Sequence, residues 1–283
     1  MAKDPTSATG CRGFLGDFMK ILFLGDVVGT PGVELIRKAL PRIIAEESLD
    51  LVIANAENAS GGSGITPRVY RHLRQAGVDL ITLGDHIYKK LEITDILKND
   101  DRVCRPANFP AEAPGRRFAV APAKDGTPVA VMLLMGRTYM RPVDCPFHAA
   151  DAVFAEIGDA ARCVFVDVHA EATADKYLLG HYLKGRASAV IGTHTHIQTA
   201  DEQILAGGTA FLCDAGMSGP YDSILGRRVD RVLSTTVTFV PTSFDVAEGD
   251  PRLSGAIVEI DAATGRASAI RRVQYRDVAA NSV

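Results

Sequence analysis

Short apolar runs alternate with polar, helix-like segments along most of the chain. The runs have the length and the aliphatic content of buried strands, and they cover residues 19–24, 51–54, 80–83, 129–134, 164–168, 189–191 and 210–213. Helical spacing of apolar residues follows at 150–157 and 175–183, and two more helices are expected to begin at Thr30-Pro31 and Thr66-Pro67, where a hydroxyl cap precedes a proline. This alternation predicts a parallel-rich sheet covered by helices.

The C-terminal part departs from that alternation. Residues 254–261 and 266–275 are typical of an antiparallel hairpin, so the sequence predicts a mixed sheet or a second sheet. We expect residues 1–18, which have no periodic pattern, to form a loose N-terminal extension. Because no internal repeat or linker is apparent, we expect a single domain over residues 19–283.

Polar clusters follow five of the apolar runs. They are Gly25-Asp26, Asn55-Ala56-Glu57-Asn58, Gly84-Asp85-His86, His169 and Gly192-Thr193-His194-Thr195-His196. Open α/β sheets place ligands outside the carboxyl ends of their strands, so these side chains are expected to meet. Neutral imidazole and carboxylate bind divalent transition metals, and a bridging carboxylate holds two ions about 3.5 to 4 Å apart. The clusters therefore predict a site for two metal ions.

Composition and charge exclude several classes of partner. A net charge of −3 gives no electrostatic footprint for duplex nucleic acid or for an anionic membrane surface. No apolar run reaches the roughly 18 residues that a membrane span needs. The five cysteines are scattered and lack any C-x-x-C pair, which indicates reduced thiols, a cytoplasmic location and no part in the metal site. A homo-oligomer is left open.

Six ordered motifs together resemble the bacterial YmdB family of calcineurin-like metallophosphoesterases. They are the segments 25–29, 55–59, 84–86, 105–110, 167–173 and 192–201, and the similarity runs from about Met19 to the C-terminal hairpin. The resemblance implies a four-layer α/β/β/α sandwich with mixed sheets. It also implies two metal ions per chain, commonly iron or manganese, and phosphodiesterase activity on small substrates such as 2′,3′-cyclic nucleotides.

The same resemblance assigns roles to individual residues. It places Asp26 and His196 at one ion, Glu57 as the bridge, and Asp85, His169 and His194 at the other ion. Asn58 matches a family residue that contacts a metal or a bound phosphate. His86 matches the catalytic histidine, which acts as general acid on the leaving oxygen while a metal-bridging hydroxide attacks phosphorus.

One position departs from the family pattern. The family has Gly-Asn-His followed by Thr-Trp-Asp, whereas this chain has Gly84-Asp85-His86 followed by Ile87-Tyr88-Lys89. Asp85 brings a full negative charge where the family has a neutral amide. An anionic ligand tightens metal binding but lowers the Lewis acidity of the ions and repels an incoming phosphate. We therefore expect a retained metal site whose turnover depends on Asp85.

Several alternatives stay open at the level of the sequence. Taken alone, Asp26 is more often a turn residue and His169 a hydrogen-bonded core histidine. The same scaffold suits a phosphomonoesterase or a nucleotidase, and the same ligands suit hydrolysis of amides or other esters. A weakly active, metal-stabilised regulatory or RNA-associated protein is the remaining alternative, with Asp85 silencing turnover.

Overall fold

The structure, a computed structural model, describes residues 18–276. Its strands are β1 (Phe18–Leu24), β2 (Asp26–Val27), β3 (Leu51–Asn55), β4 (Leu80–Thr82), β5 (Val103–Cys104), β6 (Phe118–Pro122), β7 (Pro128–Met135), β8 (Cys163–His169), β9 (Ala189–Thr193), β10 (Gln203–Leu205), β11 (Thr209–Leu212), β12 (Met217–Pro220), β13 (Pro251–Asp261) and β14 (Arg266–Arg276). Its helices are α1 (Gly29–Glu46), α2 (Pro67–Gln75), α3 (Thr94–Asn99), α4 (Pro146–Ile157), α5 (Thr173–Leu183) and α6 (Val229–Thr238). Short 3-10 turns lie at Ile87–Lys89, Leu91–Ile93 and Gly158–Ala160.

The strands form two mixed sheets. The first has the order β2-β12-β13-β1-β3-β4-β5, with β14 paired to β13, and its strands β1, β3, β4 and β5 are mutually parallel. The second has the order β10-β11-β9-β8-β7-β6, in which β7, β8, β9 and β11 are parallel. The C-terminal hairpin β13–β14 joins the first sheet because β13 pairs antiparallel with β1.

The side chains of each central strand divide between two apolar layers. Ile21 and Phe23 of β1 pack between the sheets with Phe165 of β8, whereas Leu22 of β1 faces α1 and Val164 of β8 faces α4 and α5. This alternation follows from the two-residue period of a strand, and it explains why both faces of the central strands are apolar. The result is the predicted four-layer α/β/β/α sandwich.

The predicted elements are confirmed with small shifts in their bounds, and one detail is wrong. Thr66 caps α2, because its hydroxyl accepts a hydrogen bond from the Val69 amide. Thr30 does not cap α1: that helix begins at Gly29, with Val28 as its cap residue, and no side chain of the described residues caps it. The sequence pattern missed α3, α6 and several short strands, whose apolar stretches are brief.

The predicted N-terminal extension falls almost wholly outside the described residues, and β1 begins at Phe18, one residue before the predicted start. The single domain over residues 19–283 stays a prediction. Four cysteines of the described segment, Cys104, Cys145, Cys163 and Cys213, are free thiols, while Cys11 lies outside it. Within residues 18–276, no helix combines the length and the apolar character that crossing a bilayer requires.

Candidate metal centre

The predicted site residues lie where strands of both sheets end. The first sheet contributes Asp26 just after β1, Glu57 and Asn58 just after β3, and Asp85 and His86 just after β4, and the second sheet contributes His169 at the end of β8 and His194 and His196 just after β9. The contacts given below bring all eight together. The role of each residue stays a prediction.

Four of these residues form a compact donor cluster. One ligand atom from each of Glu57, Asp85, His169 and His194 lies within 4.8 Å of the other three. His169 is at the centre: its Nε2 is 3.2 Å from Glu57 Oε1, 3.2 Å from Asp85 Oδ1 and 3.1 Å from His194 Nδ1. Two imidazoles and two carboxylates at this spacing are a donor set that suits a divalent transition metal.

Hydrogen bonds on the far side of His169 set its tautomer. Thr193 Oγ1 donates to Asp167 Oδ1 at 2.6 Å, so it is free to accept a hydrogen bond from His169 Nδ1 at 2.8 Å. Asp167 also accepts from Thr82 Oγ1 at 2.6 Å and from Asn55 Nδ2 at 3.0 Å, and it is fully buried. With its proton held on Nδ1, the neutral imidazole presents the Nε2 lone pair to the donor cluster.

The charges in the donor cluster perturb each other strongly. Burial alone lowers the pKa of His169, but the carboxylates of Glu57 and Asp85 outweigh it and hold that pKa well above its usual range. Burial raises the pKa of Glu57 and Asp85, yet His169 more than offsets it and leaves both below their usual range. Without a cation, a proton on His169 therefore offsets part of the negative charge of the two carboxylates. A bound divalent cation can take the place of this proton and offset more of that charge.

A second group of donors adjoins the cluster through Asn58. Asn58 Nδ2 lies 3.2 Å from Glu57 Oε1 and 3.3 Å from His196 Nε2, and His196 Nε2 lies 3.9 Å from Asp26 Oδ1. Asp26 is fully buried, and burial raises its pKa. Its Oδ2 accepts from the His194 amide at 3.0 Å, whereas its Oδ1 has no hydrogen-bond partner in the described residues. Such an orphaned buried oxygen is rare, and a cation satisfies it.

His86 lies at the exposed edge of the site, with about 31% of its side chain accessible. Its backbone amide donates to Glu57 Oε2 at 2.9 Å, and its Nδ1 lies 2.7 Å from Asn58 Oδ1. Because Asn58 uses its amide nitrogen on Glu57, its oxygen accepts from His86 Nδ1. The His86 Nε2 atom, 3.9 Å from Asp85 Oδ2, is left to exchange a proton with a ligand.

Gly84 makes room for this arrangement. A Cβ atom at Gly84 would collide with the Glu57 carboxylate and the His169 ring. Glycine is therefore required between β4 and Asp85, because side chains of both sheets crowd against the backbone there. The sequence shows the glycine but not the contact, because His169 belongs to the other sheet.

Four residues that support His169 from behind carry no predicted role: Asn55, Thr82, Asp167 and Thr193. Asn55 and Thr193 lie within the predicted polar clusters and Asp167 within the motif 167–173, whereas Thr82 lies outside all of them. A signal was present for Asp167: it lies two residues before His169 in β8, so both side chains point to the same face of the strand. Its three donors come from three other strand ends, and no local pattern links them.

Comparison with known proteins settles the family. Residues 22–273 match the model of the family described as YmdB-like protein. The chain belongs to the YmdB-like family. A relative named 2′,3′-cyclic-nucleotide 2′-phosphodiesterase, from Bacillus subtilis strain 168, is 44% identical over 259 residues, which are 92% of this chain and 98% of the relative.

Two solved structures extend the comparison. A hypothetical protein from Thermus thermophilus is 41% identical with a TM-score of 0.86, covering 92% of this chain and 100% of its own. A structure described as a novel phosphatase, from Mycoplasma pneumoniae, is 27% identical with a TM-score of 0.86, covering 93% of this chain and 95% of its own. The predicted metallophosphoesterase fold is confirmed, and the donor cluster fits the divalent metal that a YmdB-like protein is expected to bind.

Proposed function

We propose that this chain is a metal-dependent phosphodiesterase that hydrolyses small phosphodiesters, with 2′,3′-cyclic nucleotides as its substrates. The observation that carries the proposal is the convergence of Glu57, Asp85, His169 and His194 from two sheets on one point beside His86, a partly exposed histidine. The Bacillus subtilis relative, named for this activity and 44% identical, confirms the prediction of a phosphodiesterase and supports the choice of substrate.

The candidate metal ligands would form two adjacent sites, each holding one ion of iron or manganese. Asp26 and His196 would hold one ion, Asp85, His169 and His194 the other, and Glu57 would bridge them. The unpaired Oδ1 of Asp26 supports the first position, and the location of His169 Nε2 between the carboxylates of Glu57 and Asp85 supports the second. When bound, such a pair supplies Lewis acidity toward phosphate oxygens and lowers the pKa of a coordinated water.

Proton transfer to the leaving oxygen is assigned to His86. Asn58 holds the proton of His86 Nδ1 and so fixes the ring, while the backbone amide of His86 ties it to Glu57. The Nε2 atom of the protonated ring then donates to the departing alkoxide. Asn58 thus links the acid to the two donor groups, because its amide nitrogen lies against Glu57 and His196.

The test is a direct assay of the purified chain. The wild type, His86→Ala and a His148→Ala control are compared on 2′,3′-cAMP, bis-p-nitrophenyl phosphate and p-nitrophenyl phosphate, and bound metals are quantified. His148 is an exposed histidine on α4. We expect metal-dependent turnover of both diesters, 3′-AMP as the product from the cyclic nucleotide, and a loss of about 10²- to 10⁴-fold in His86→Ala.

Two outcomes would overturn the proposal. Faster turnover of the monoester than of either diester would favour a phosphatase, the activity in the description of the Mycoplasma structure. Metal binding without turnover of any substrate would favour the regulatory alternative. The cytoplasmic location, the oligomeric state and the absence of duplex nucleic acid binding stay predictions.

A further inference from the structure

The turn that carries His194 and His196 has an unusual backbone. His194 has a φ of 92° and His196 a φ of 65°, and both follow the end of β9. Residues with a side chain rarely adopt positive φ, and a short turn holding two of them persists only where its surroundings fix it. Contacts of Thr195, the residue between them, can fix the backbone of both histidines.

Thr195 is bound to a buried ion pair. Its hydroxyl donates to Asp214 Oδ2 at 2.5 Å and its backbone amide donates to the same oxygen at 3.2 Å. Lys176 Nζ lies 2.6 Å from Asp214 Oδ2 and 3.2 Å from Thr195 Oγ1. The Gly216 amide donates to Asp214 Oδ1 at 2.8 Å, so both carboxylate oxygens are occupied. We call Lys176, Thr195 and Asp214 the Lys176 cluster.

The burial of this cluster needs an explanation. The side chains of Lys176 and Asp214 are each only 1% exposed, and taking two charges out of water often costs more than burying an apolar pair of the same size. The cluster ties α5 and the segment after β11 to the turn after β9. Gly192 allows this approach, since a Cβ atom there would collide with the Cys213 carbonyl and with the Lys176 side chain.

We propose that the Lys176 cluster holds the turn from His194 to His196 in its strained conformation, and so positions both imidazoles for metal binding. Its members are positioning residues, because they act on the metal centre through the backbone of this turn. The inference rests on the proposed function in taking His194 and His196 as ligands. Since these two histidines are assigned to different ions, loss of the cluster weakens both metal positions together.

The test uses variants that leave the ion pair in place. Thr195→Val removes the hydroxyl at nearly constant shape, and Thr195→Ser restores it. Thr209→Val is the matched control: Thr209 is a buried threonine whose hydroxyl donates to the Ala187 carbonyl at 2.6 Å, at the start of β11 and away from the turn. Mn²⁺ binding to the metal-free full chain is measured by calorimetry, and hydrogen exchange of the amides of residues 194–196 is measured without metal.

We expect Thr195→Val to raise the Kd for Mn²⁺ by about ten- to a hundredfold at both positions and to speed exchange at residues 194–196. Thr195→Ser should restore both, and Thr209→Val should change neither. Unchanged exchange at residues 194–196 in Thr195→Val, or an equal change in Thr209→Val, would overturn the inference. A wild type that binds no metal would instead contradict the proposed function, and the exchange result would still decide whether the cluster holds the turn.

Discussion

Asp85 is the candidate ligand at which the sequence is predicted to depart from the family pattern. Its Oδ1 lies 3.2 Å from His169 Nε2 and 3.9 Å from His194 Nδ1, so its charge acts directly on the donor cluster. An anion here tightens the hold on a cation and lowers the cation's Lewis acidity, which are opposing effects on catalysis. The Asp85 side chain therefore influences both the affinity for the cation and the reactivity of the bound cation.

Replacement of this charge by an amide should separate the two effects. We expect Asp85→Asn to bind Mn²⁺ at least about tenfold more weakly, because unit charges about 4 Å apart interact by roughly 4 kcal/mol at an effective dielectric of about 20 and the amide recovers only part of this. Its turnover at saturating metal should rise. Calorimetry and the diester assay check this, with the exposed Asp159→Asn as control. Unchanged affinity and turnover would show that Asp85 lies outside the metal's reach.

At the scale of elements, the two Thr-Pro dipeptides show that a local sequence pattern predicts a helix start correctly but does not always identify its cap residue. At α2, the Thr66 hydroxyl meets the Val69 amide, as a cap residue should. At α1, the same dipeptide lies one residue too far along the helix, because Gly29 adopts a φ of 62° and already turns the chain into the helix. Thr30 is therefore an exposed residue of the first turn.

The two threonines should respond differently to the same substitution. Thr66→Ala should lower the free energy of unfolding by about 1 kcal/mol, because it leaves an amide of the first turn unpaired. Thr30→Ala should change it by less than about 0.5 kcal/mol, since no cap is lost and alanine favours helix. Urea denaturation of both variants checks this, and an equal loss in the two would show that Thr66 does not act as a cap.

At the scale of the whole molecule, the metal centre joins the two sheets. Asp26, Glu57 and Asp85 come from the first sheet, and His169, His194 and His196 come from the second. The apolar layer between the sheets holds them together, but it leaves three carboxylates close together at one edge. A bound cation offsets their repulsion in the folded chain only, so metal binding and stability are linked.

Metal binding should therefore raise the melting temperature. At a free Mn²⁺ concentration about a hundredfold above Kd, the expected gain in the free energy of unfolding is about 2.7 kcal/mol, which raises the melting temperature of a chain of this size by roughly 4 to 5 °C. His169→Ala should abolish the gain, because it removes the donor at the centre of the cluster. Thermal unfolding with Mn²⁺ and with EDTA checks this, and an equal gain in the wild type and in His169→Ala would place the metal elsewhere.

Much of the fold and of the site was predictable because the decisive signals are local. Strand periodicity marks β1, β3, β8 and β9 directly, and the polar residues that end these strands mark the site. The short strands and α6 were missed because their pattern is too brief or too exposed to be distinctive; α6 has no buried residue. A short strand such as β2, which pairs with β12, depends on a partner that is distant in the sequence.

The sequence by itself determined the order of the longer elements, the family and the candidate ligands, because strand periodicity and the residues at strand ends are local features of the sequence. Only the tertiary structure decided how those ligands are held. The proton on His169 depends on Asp167 through Thr193, and the turn after β9 depends on Lys176 and Asp214. These contacts join strand ends and a helix that are far apart in the chain, and they exist only once both sheets have packed together.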